Sequence, residues 1–510
     1  MKKLNKIALF ALSALTLVGC ADLDTEPLGK TVTADQKEEV LEADPTRIEA
    51  GVTAICSNFT VYGAVGGEDQ HNDFGYPAIM MLLDHRGTDL VSFDTGYNWF
   101  SYPLIYSDVQ NNGVGTAIIW YTLFNQIFTA NAILGVLDPE TEDPTTQFYL
   151  AQALAIRAFD YFNLVQVYQH TYVGHESAPG VPLITEKNAA EVATSGVARA
   201  TVEDTYTFIL DDINKAIELL EATDVERADK RYVSLDVAYG IRARINLVMN
   251  NWQAAYDDAV AAINASDSKV MSINEAGKPA FIDINEKSWM WGVLITDKDR
   301  VATTGICNFP SHMGSFNYGY ASVGAWRLIN KKLFAAIPET DVRRNWFLDA
   351  ECNSATLTKA QLDYVKNSAK CPAYTQVKYA AMGDEMGTDN NSCDVPGAVA
   401  ALNKFVNTYR DTDYLCEATT KEEAQEAIWN QRRIEFWGEG LSWFDIKRLN
   451  KGVNRLGGGF PETAVFNFEP NADALILPIP HAETQYNKLM EGNPAVSVPQ
   501  PIPDETEEEK

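Results

Sequence analysis

The sequence predicts a mainly α protein in which helix pairs form a scaffold for long, irregular, aromatic-rich loops, with little β-structure. Three observations predict it. Between residues 114 and 265 apolar residues recur at three- and four-residue steps, the period of a buried helix face. On either side, residues 62–106 and 266–420 lose that period and gather Gly, Asn, Tyr and Trp; stretches this long are functional or disordered, and their aromatic content argues for order. Finally, 46% apolar and 11% aromatic residues in a chain of 510 supply a large core. That excludes a disordered, collagen-like or purely coiled-coil chain.

Residues 1–19 open with Lys2, Lys3 and Lys6, continue as an apolar run from Ile7 to Leu15 broken only by Ser13, and end on Leu17-Val18-Gly19 before Cys20. The run is shorter than the about 20 apolar residues of a membrane span and has the layout of an export signal. Leu-Val-Gly-Cys resembles the bacterial lipobox, which implies lipidation of Cys20 as the mature N-terminus; acyl chains there would anchor the protein without a spanning helix. Asp22, Asp24 and Glu26 follow at once, similar to the acidic surface-export signal of Bacteroidetes lipoproteins, with a solvated tether as the plainer reading. No later stretch reads as long and apolar enough to span. The net charge of −29 becomes −32 when the three lysines leave with residues 1–19, which contain no acid. So acidic a surface repels phosphate backbones, and no nucleic acid is expected as a partner.

Within the periodic block, Asp143-Pro144 reads as an N-cap followed by Pro at the first helical position, with Ala151, Leu154, Ala158, Phe162, Val165 and Tyr168 forming one face behind it. Thr201-x-x-Asp204 has capping-box spacing, and Val202, Tyr206, Ile209, Ile213, Ala216, Ile217 and Leu220 continue the stripe. From Ser234 to Ala265, Leu235, Ala238, Ile241, Ile245 and Val248 form one face, Asn250-Asn251 a turn, and Trp252, Ala255, Ala259, Ala262 and Ile263 the next. Small residues at 255, 259 and 262 let two antiparallel helices approach closely, as in a repeat about 34 residues long. The unit resembles a degenerate tetratricopeptide repeat. Thr420-x-x-Glu423 then opens a C-terminal helical segment from Ala424 to Asn450, broken near Gly438 and Gly440. Pro478-Ile479-Pro480 stops regular structure, Gly457-Gly458-Gly459 reads as a flexible loop, and the Pro-rich acidic tail reads as disordered.

The expected organisation is a signal peptide (1–19), a lipidated tether and N-terminal segment (20–45), a single domain (46–498) and an acidic tail (499–510). The domain divides into the helical scaffold (about 114–265), a loop-rich ligand part (about 266–420 plus 62–106) and a C-terminal part (about 421–498). Beyond Cys20, six cysteines remain: Cys56, Cys307, Cys352, Cys371, Cys393 and Cys416. They allow 15 pairings in an oxidising compartment, and local bridges fit the four between 352 and 416. Without a C-x-x-C pair, metal binding is the weaker reading.

Gln431-Arg432-Arg433-Ile434-Glu435-Phe436-Trp437-Gly438-Glu439-Gly440-Leu441-Ser442-Trp443-Phe444-Asp445-Ile446-Lys447-Arg448 resembles the signature helix of the SusD/RagB family. Leu477-Pro478-Ile479-Pro480-His481-Ala482-Glu483 with Asn493-Pro494, Arg157-Ala158-Phe159-Asp160-Tyr161-Phe162 and Cys20-Ala21-Asp22-Leu23-Asp24 extend the resemblance over nearly the whole mature chain; Ser442 departs, where the family often has a larger polar residue. The resemblance implies a lipid-anchored, surface-exposed outer-membrane protein, mainly α-helical, that captures oligosaccharides, or in some members peptides. It also implies a partner, a SusC-like TonB-dependent barrel transporter, over which the protein closes as a lid. It implies no catalysis and no cofactor.

The residues bear separately on chemistry. Glu435 and Glu439, four apart, would share one face of a continuous helix; a glycosidase acid/base pair and a salt-bridge network with Arg432, Lys447 and Arg448 both fit. The network reading is favoured, since helical neighbours cannot easily flank a sugar from opposite faces. H-E-x-x-H, G-x-S-x-G and a phosphate loop are all missing, and His71, His85, His170, His175, His312 and His481 are scattered; His170 and His175 would need a loop to converge on a metal. The aromatic loops carry the better case, because sugar C–H faces stack on Trp and Tyr while hydroxyls need neighbouring amides. Tyr97, Asn98 and Trp99 in the first loop, and Tyr318, Tyr320 and Trp326 in the second, are the expected ligand-binding residues. Trp289 and Trp291 alternate in a strand-like run, so at most one of them should face a ligand.

Overall fold

The computed structural model describes residues 46–93, 96–281, 283–367, 371–379, 386–388 and 395–505. The chain divides into residues 1–50 and residues 51–510. Of the first unit only the start of helix α1 (Thr46–Ser57) is described. The export signal, Cys20 and the tether lie outside the described residues.

The second unit is helical, as expected: 18 α-helices and three two-stranded antiparallel ladders among the described residues. After α1 come α2 (Tyr76–Arg86), strand β1 (Leu90–Ser92), α3 (Val114–Leu134), α4 (Pro144–Tyr168), α5 (Val202–Ala222), α6 (Leu235–Val248) and α7 (Trp252–Ala265). Helix α4 is the axis, packed on both α3 and α5, and from Leu150 to Tyr168 only Leu154 escapes burial. Its start is the one the sequence announces: the Asp143 carboxylate accepts from Thr146 N at 2.8 Å. Likewise Thr201 Oγ1 accepts from Asp204 N at 3.0 Å and starts α5, whose predicted stripe is buried throughout. Each fully buried Ile, Val, Leu or Phe on these faces contributes roughly 1.5–3 kcal/mol.

Polar groups fix the register between these helices. Arg157, inside α4, donates to both Asp212 oxygens (2.7 and 2.8 Å) on α5, to Glu186 (2.6 Å) and to Asn131 (2.7 Å) on α3. The α6–α7 hairpin turns at Asn250, whose φ of 60° is the left-handed value Asn tolerates, and Ala255, Ala259 and Ala262 are buried against α6.

Four expectations change. Helix α3 is long and apolar enough to cross a membrane by length and composition, contrary to the reading that no such stretch follows the signal. It is a core helix, packed on α4 and α2, with Ile118, Leu123, Ile127 and Ala130 fully buried. Second, the loop-rich region contains a 15-residue helix, Val395–Tyr409, whose Pro and Gly near the start obscure its period. Third, the tail is ordered through residue 505: Ile502 N donates to Val465 O (3.0 Å), and Gly457 N donates to Asp504 (2.6 Å), so the triple-glycine run is a docking turn for it. Fourth, Cys56, Cys307, Cys352, Cys371 and Cys416 are free thiols, and the Cys352 thiol meets the Cys371 carbonyl at 3.6 Å rather than its sulfur. Cys393 lies outside the described residues.

The remaining elements used below are β2 (Trp291–Val293), α8 (Phe309–Met313), β3 (Arg327–Ile329), β4 (Met386–Thr388), α9 (Val395–Tyr409), α10 (Lys421–Glu435) and α11 (Ser442–Arg448). Strand β1 pairs with β3, and β2 with β4.

Candidate functional site

The two aromatic loops lie more than 200 residues apart in sequence, and one short ladder joins them. Leu90, Val91 and Ser92 pair with Ile329, Leu328 and Arg327. The first loop leaves the end of β1 and the second enters the start of β3, so both are rooted at Ser92 and Arg327. Arg327 is fully buried there, donating to Ser92 Oγ (2.6 Å) and Asn98 Oδ1 (3.2 Å). Burial lowers its pKa to about 9.

Asn98 belongs to this root rather than to the surface. It is 5% exposed, its amide donates to Ser92 Oγ (3.0 Å) and its oxygen accepts from Phe100 N (3.1 Å). All that chemistry is spent on shaping the loop. Trp326 is only 2% exposed and packs inside. The other four residues reach the surface: Tyr97 (54% exposed) and Tyr318 (80%) stand in solvent, while Trp99 and Tyr320 are half-buried.

Trp99 and Tyr320 meet edge to face at 6.4 Å, and His71 stacks on Trp99 at 4.7 Å with 23° between planes. His71 Nδ1 also shares a hydrogen bond with the Tyr320 hydroxyl. Beneath them His312 stacks on Tyr320 at 4.7 Å and its Nε2 bonds His71 O at 2.9 Å. Burial, then Arg327, pushes the His312 pKa well below the usual histidine range, so its ring is neutral. Phe74 and Phe100 complete the column against His312. The arrangement is a braced aromatic platform with two exposed tyrosines on the same loops.

Sequence reasoning missed His71 and His312: His71 stands 26 positions before Tyr97 and His312 six before Tyr318, and no periodic spacing ties either ring to those residues. Close approach also shapes the second loop. A Cβ at Gly319, between the two tyrosines, would lie 2.5 Å from Ser311 Cα, and Tyr320 N and Ala321 N are held by Ser311 Oγ (3.2 Å) and O (2.9 Å) at α8. Gly75, which starts α2 after the His71 loop, has φ of 85°, and a Cβ there would stand 2.2 Å from Phe59 O.

A family model described as starch-binding and associating with the outer membrane matches residues 80–247, and a SusD family model matches residues 349–495. Together they span more than half of the chain. The chain belongs to the SusD family. SusD-like protein P2 of Formosa agariphila is 24% identical over 533 residues, covering 95% of this chain and 98% of its own. SusD-like protein P38 of the same organism is 28% identical over 404 residues, covering 66% and 73%. The fold matches a SusD-like carbohydrate binding protein from Bacteroides vulgatus with a TM-score of 0.71 at 20% identity, over 87% of this chain and 97% of that one. A SusD superfamily protein from Bacteroides thetaiotaomicron matches with a TM-score of 0.68 at 19% identity, over 88% and 99%.

The SusD signature segment carries the site indirectly. Thr420 and Glu423 form the predicted capping box of α10, which stops at Glu435; Gly438 and Gly440, at φ of 78° and 76°, turn the chain into α11. From this turn Gly440 N donates to Asp84 (2.8 Å), Ser442 Oγ donates to Asp89 (2.6 Å) and Trp437 Nε1 to Asp89 O (2.9 Å), while Arg433 pairs with the same carboxylate. These bonds hold the segment that enters β1, and so the root of the first loop. Asp84 and Asp89 are therefore internal fasteners. Lys447 caps the end of α4 by donating to Gln166 O and to Gln169 O (2.7 Å).

The two glutamates occupy separate ion pairs. Because α10 ends at Glu435, they do not share a helix face. Glu435 accepts from Arg410 (2.6 and 2.9 Å) and Arg343 (3.1 Å), and Glu439 pairs with Lys378. Burial would raise the Glu435 carboxyl, but Arg410 and then Arg343 outweigh it and hold its pKa at about 2. The network reading holds with different partners: Arg432 bonds Asp445 (2.7 Å), which also takes Arg448 (2.8 Å). Trp289 is buried, and Trp291 is half-buried with its ring edge to face against Phe59 and Phe159. A loop does bring His170 and His175 together, with ring centres 5.1 Å apart.

Proposed function

We propose that this protein is a non-catalytic, lipid-anchored cell-surface protein that captures nutrient oligosaccharides and delivers them to a partner SusC-like TonB-dependent transporter in the outer membrane. The observation that carries the reading is the platform of Trp99 and Tyr320 braced by His71, with Tyr97 and Tyr318 exposed beside it. Sugar rings stack on such faces, and a pre-braced platform loses little freedom on binding. The lipobox before Cys20 supports the anchor. The glutamates spaced for a glycosidase are each held by a buried cation, which supports capture without cleavage. Asn98 and Trp326 act here from below, by shaping and packing the loops.

Calorimetry of the mature protein against a panel of neutral oligosaccharides and a peptide digest tests the reading. One or more saccharides should bind saturably, without product formation, and Trp99→Ala should weaken them several-fold. Binding of peptides alone, or saccharide binding untouched in folded Trp99→Ala, would refute it.

A further inference from the structure

Separate from the platform, a cavity of about 640 Å³ lies among α6, α7, α9, α10 and α11, and none of the six expected ligand residues lines it. Its wall carries aromatic rings, Phe159, Phe162, Trp289, Trp291 and Trp346, interleaved with cations, Arg244, Arg343, Lys378, Arg410, Arg432 and Arg448; Lys378 stands over Trp346 at 4.6 Å and Arg244 over Phe162 at 5.9 Å. Against these six stand Glu435, Glu439 and Asp445 on the same wall, with Asp341 bonded to Arg343 from behind. Cations thus exceed these carboxylates by two, inside a chain whose net charge is −29. The cations are inside the protein: the Arg343 and Lys378 side chains are 0% and 1% exposed.

A second observation points the same way. Gly240 sits in the middle of α6 on the cavity wall, where a Cβ would meet no described atom within 4 Å. A mid-helix glycine weakens the helix relative to Ala, and here neither a left-handed φ nor close packing asks for it. Its effect is to keep the wall open. Tyr256, Val260, Ile263 and Val270 belong to the same wall and are exposed, which gives the cavity an apolar mouth.

We propose that this cavity binds an amphiphilic organic anion, an aromatic or acyl body with a single carboxylate or sulfonate, the body against the tryptophans and the charge among the guanidinium groups. The volume is that of a small-molecule site. An anion there meets cations already stripped of bulk water, where Coulombic attraction is stronger than at a surface. This site is independent of the capture function proposed above.

The probe is 8-anilinonaphthalene-1-sulfonate, titrated by fluorescence beside its neutral analogue N-phenyl-1-naphthylamine. The sulfonate should saturate at one per chain and bind at least tenfold tighter than the neutral amine. Gly240→Phe, which fills the cavity from a position with room for a ring, should weaken the sulfonate at least tenfold. Val270→Glu, at the exposed mouth where folding is not at stake, should weaken it several-fold by repulsion. Trp99→Ala should leave the titration unchanged, which separates this site from the platform. No saturable binding by the parent, equal affinity for the two probes, or full sulfonate affinity in Val270→Glu or in folded Gly240→Phe would overturn the proposal.

Discussion

Replacing Glu435 by Gln removes the charge that Arg410 and Arg343 share while keeping the side-chain volume. Arg343 retains Asp341, with both side chains fully buried, but Arg410, 6% exposed, loses the carboxylate it bonds through two nitrogens. Leaving one member of a buried pair uncompensated costs about 3–5 kcal/mol. At roughly 2.1 cal/mol/K of unfolding entropy per residue, residues 51–510 carry on the order of 1 kcal/mol/K, so the melting temperature should fall by about 3–5 °C at pH 7. The pH dependence fixes the cause. With a folded pKa of about 2, below the unfolded value of 4.5, the pair's stabilisation is fully present above about pH 4.5 and is lost as pH falls through 2. Calorimetric melts of parent and variant should therefore differ most at pH 6–7 and converge toward pH 2–3. Glu435→Gln/Arg410→Met should recover part of the loss, since the stranded cation is gone. A folded Glu435→Gln that melts with the parent at pH 7 yet no longer binds saccharide would refute the structural assignment and make Glu435 a ligand residue.

Other outcomes follow from the site. Trp99→Ala and Tyr318→Ala should each weaken oligosaccharide binding several-fold, on about 0.5–1.5 kcal/mol per stacked ring, with little change between low and high salt for a neutral cargo; calorimetry at two ionic strengths measures both. Trp326→Ala should act on stability instead, losing about 3–5 kcal/mol as a buried aromatic is deleted, and its melting curve should drop before its affinity does. Cys20→Ala should release the protein from the outer-membrane fraction; a variant that still fractionates with that membrane and stays open to external protease would show the anchor to be elsewhere.

The helical scaffold was legible because its information is local. The Asp143 and Thr201 caps, the stripe from Val202 to Leu220 and the Asn250 turn each involve residues a few positions apart, and all appear where the sequence puts them. Aromatic enrichment also located both loops. Burial within those loops was not legible, since Asn98 and Tyr97 are neighbours with opposite fates, decided by Arg327, 229 residues from Asn98. The same holds for Arg432 and Glu435. They are close enough in sequence to pair, yet the end of α10 and the turn at Gly438 and Gly440 deliver them to Asp445 and to Arg410 with Arg343. His71 and His312 joined the platform only through the fold, which sets His71 of the first loop against Tyr320 of the second, and Phe74 of the first against His312 of the second. By itself, the sequence determined the helical class, the scaffold's caps and stripes, and which loops hold exposed-type aromatics, because propensity and period act over one or two turns. Which of those aromatics face solvent, which cation meets which carboxylate, and where a charged cavity opens were decided by tertiary structure, because each depends on separate elements, from 13 residues apart for Arg432 and Asp445 to 229 for Asn98 and Arg327, sharing one desolvated space.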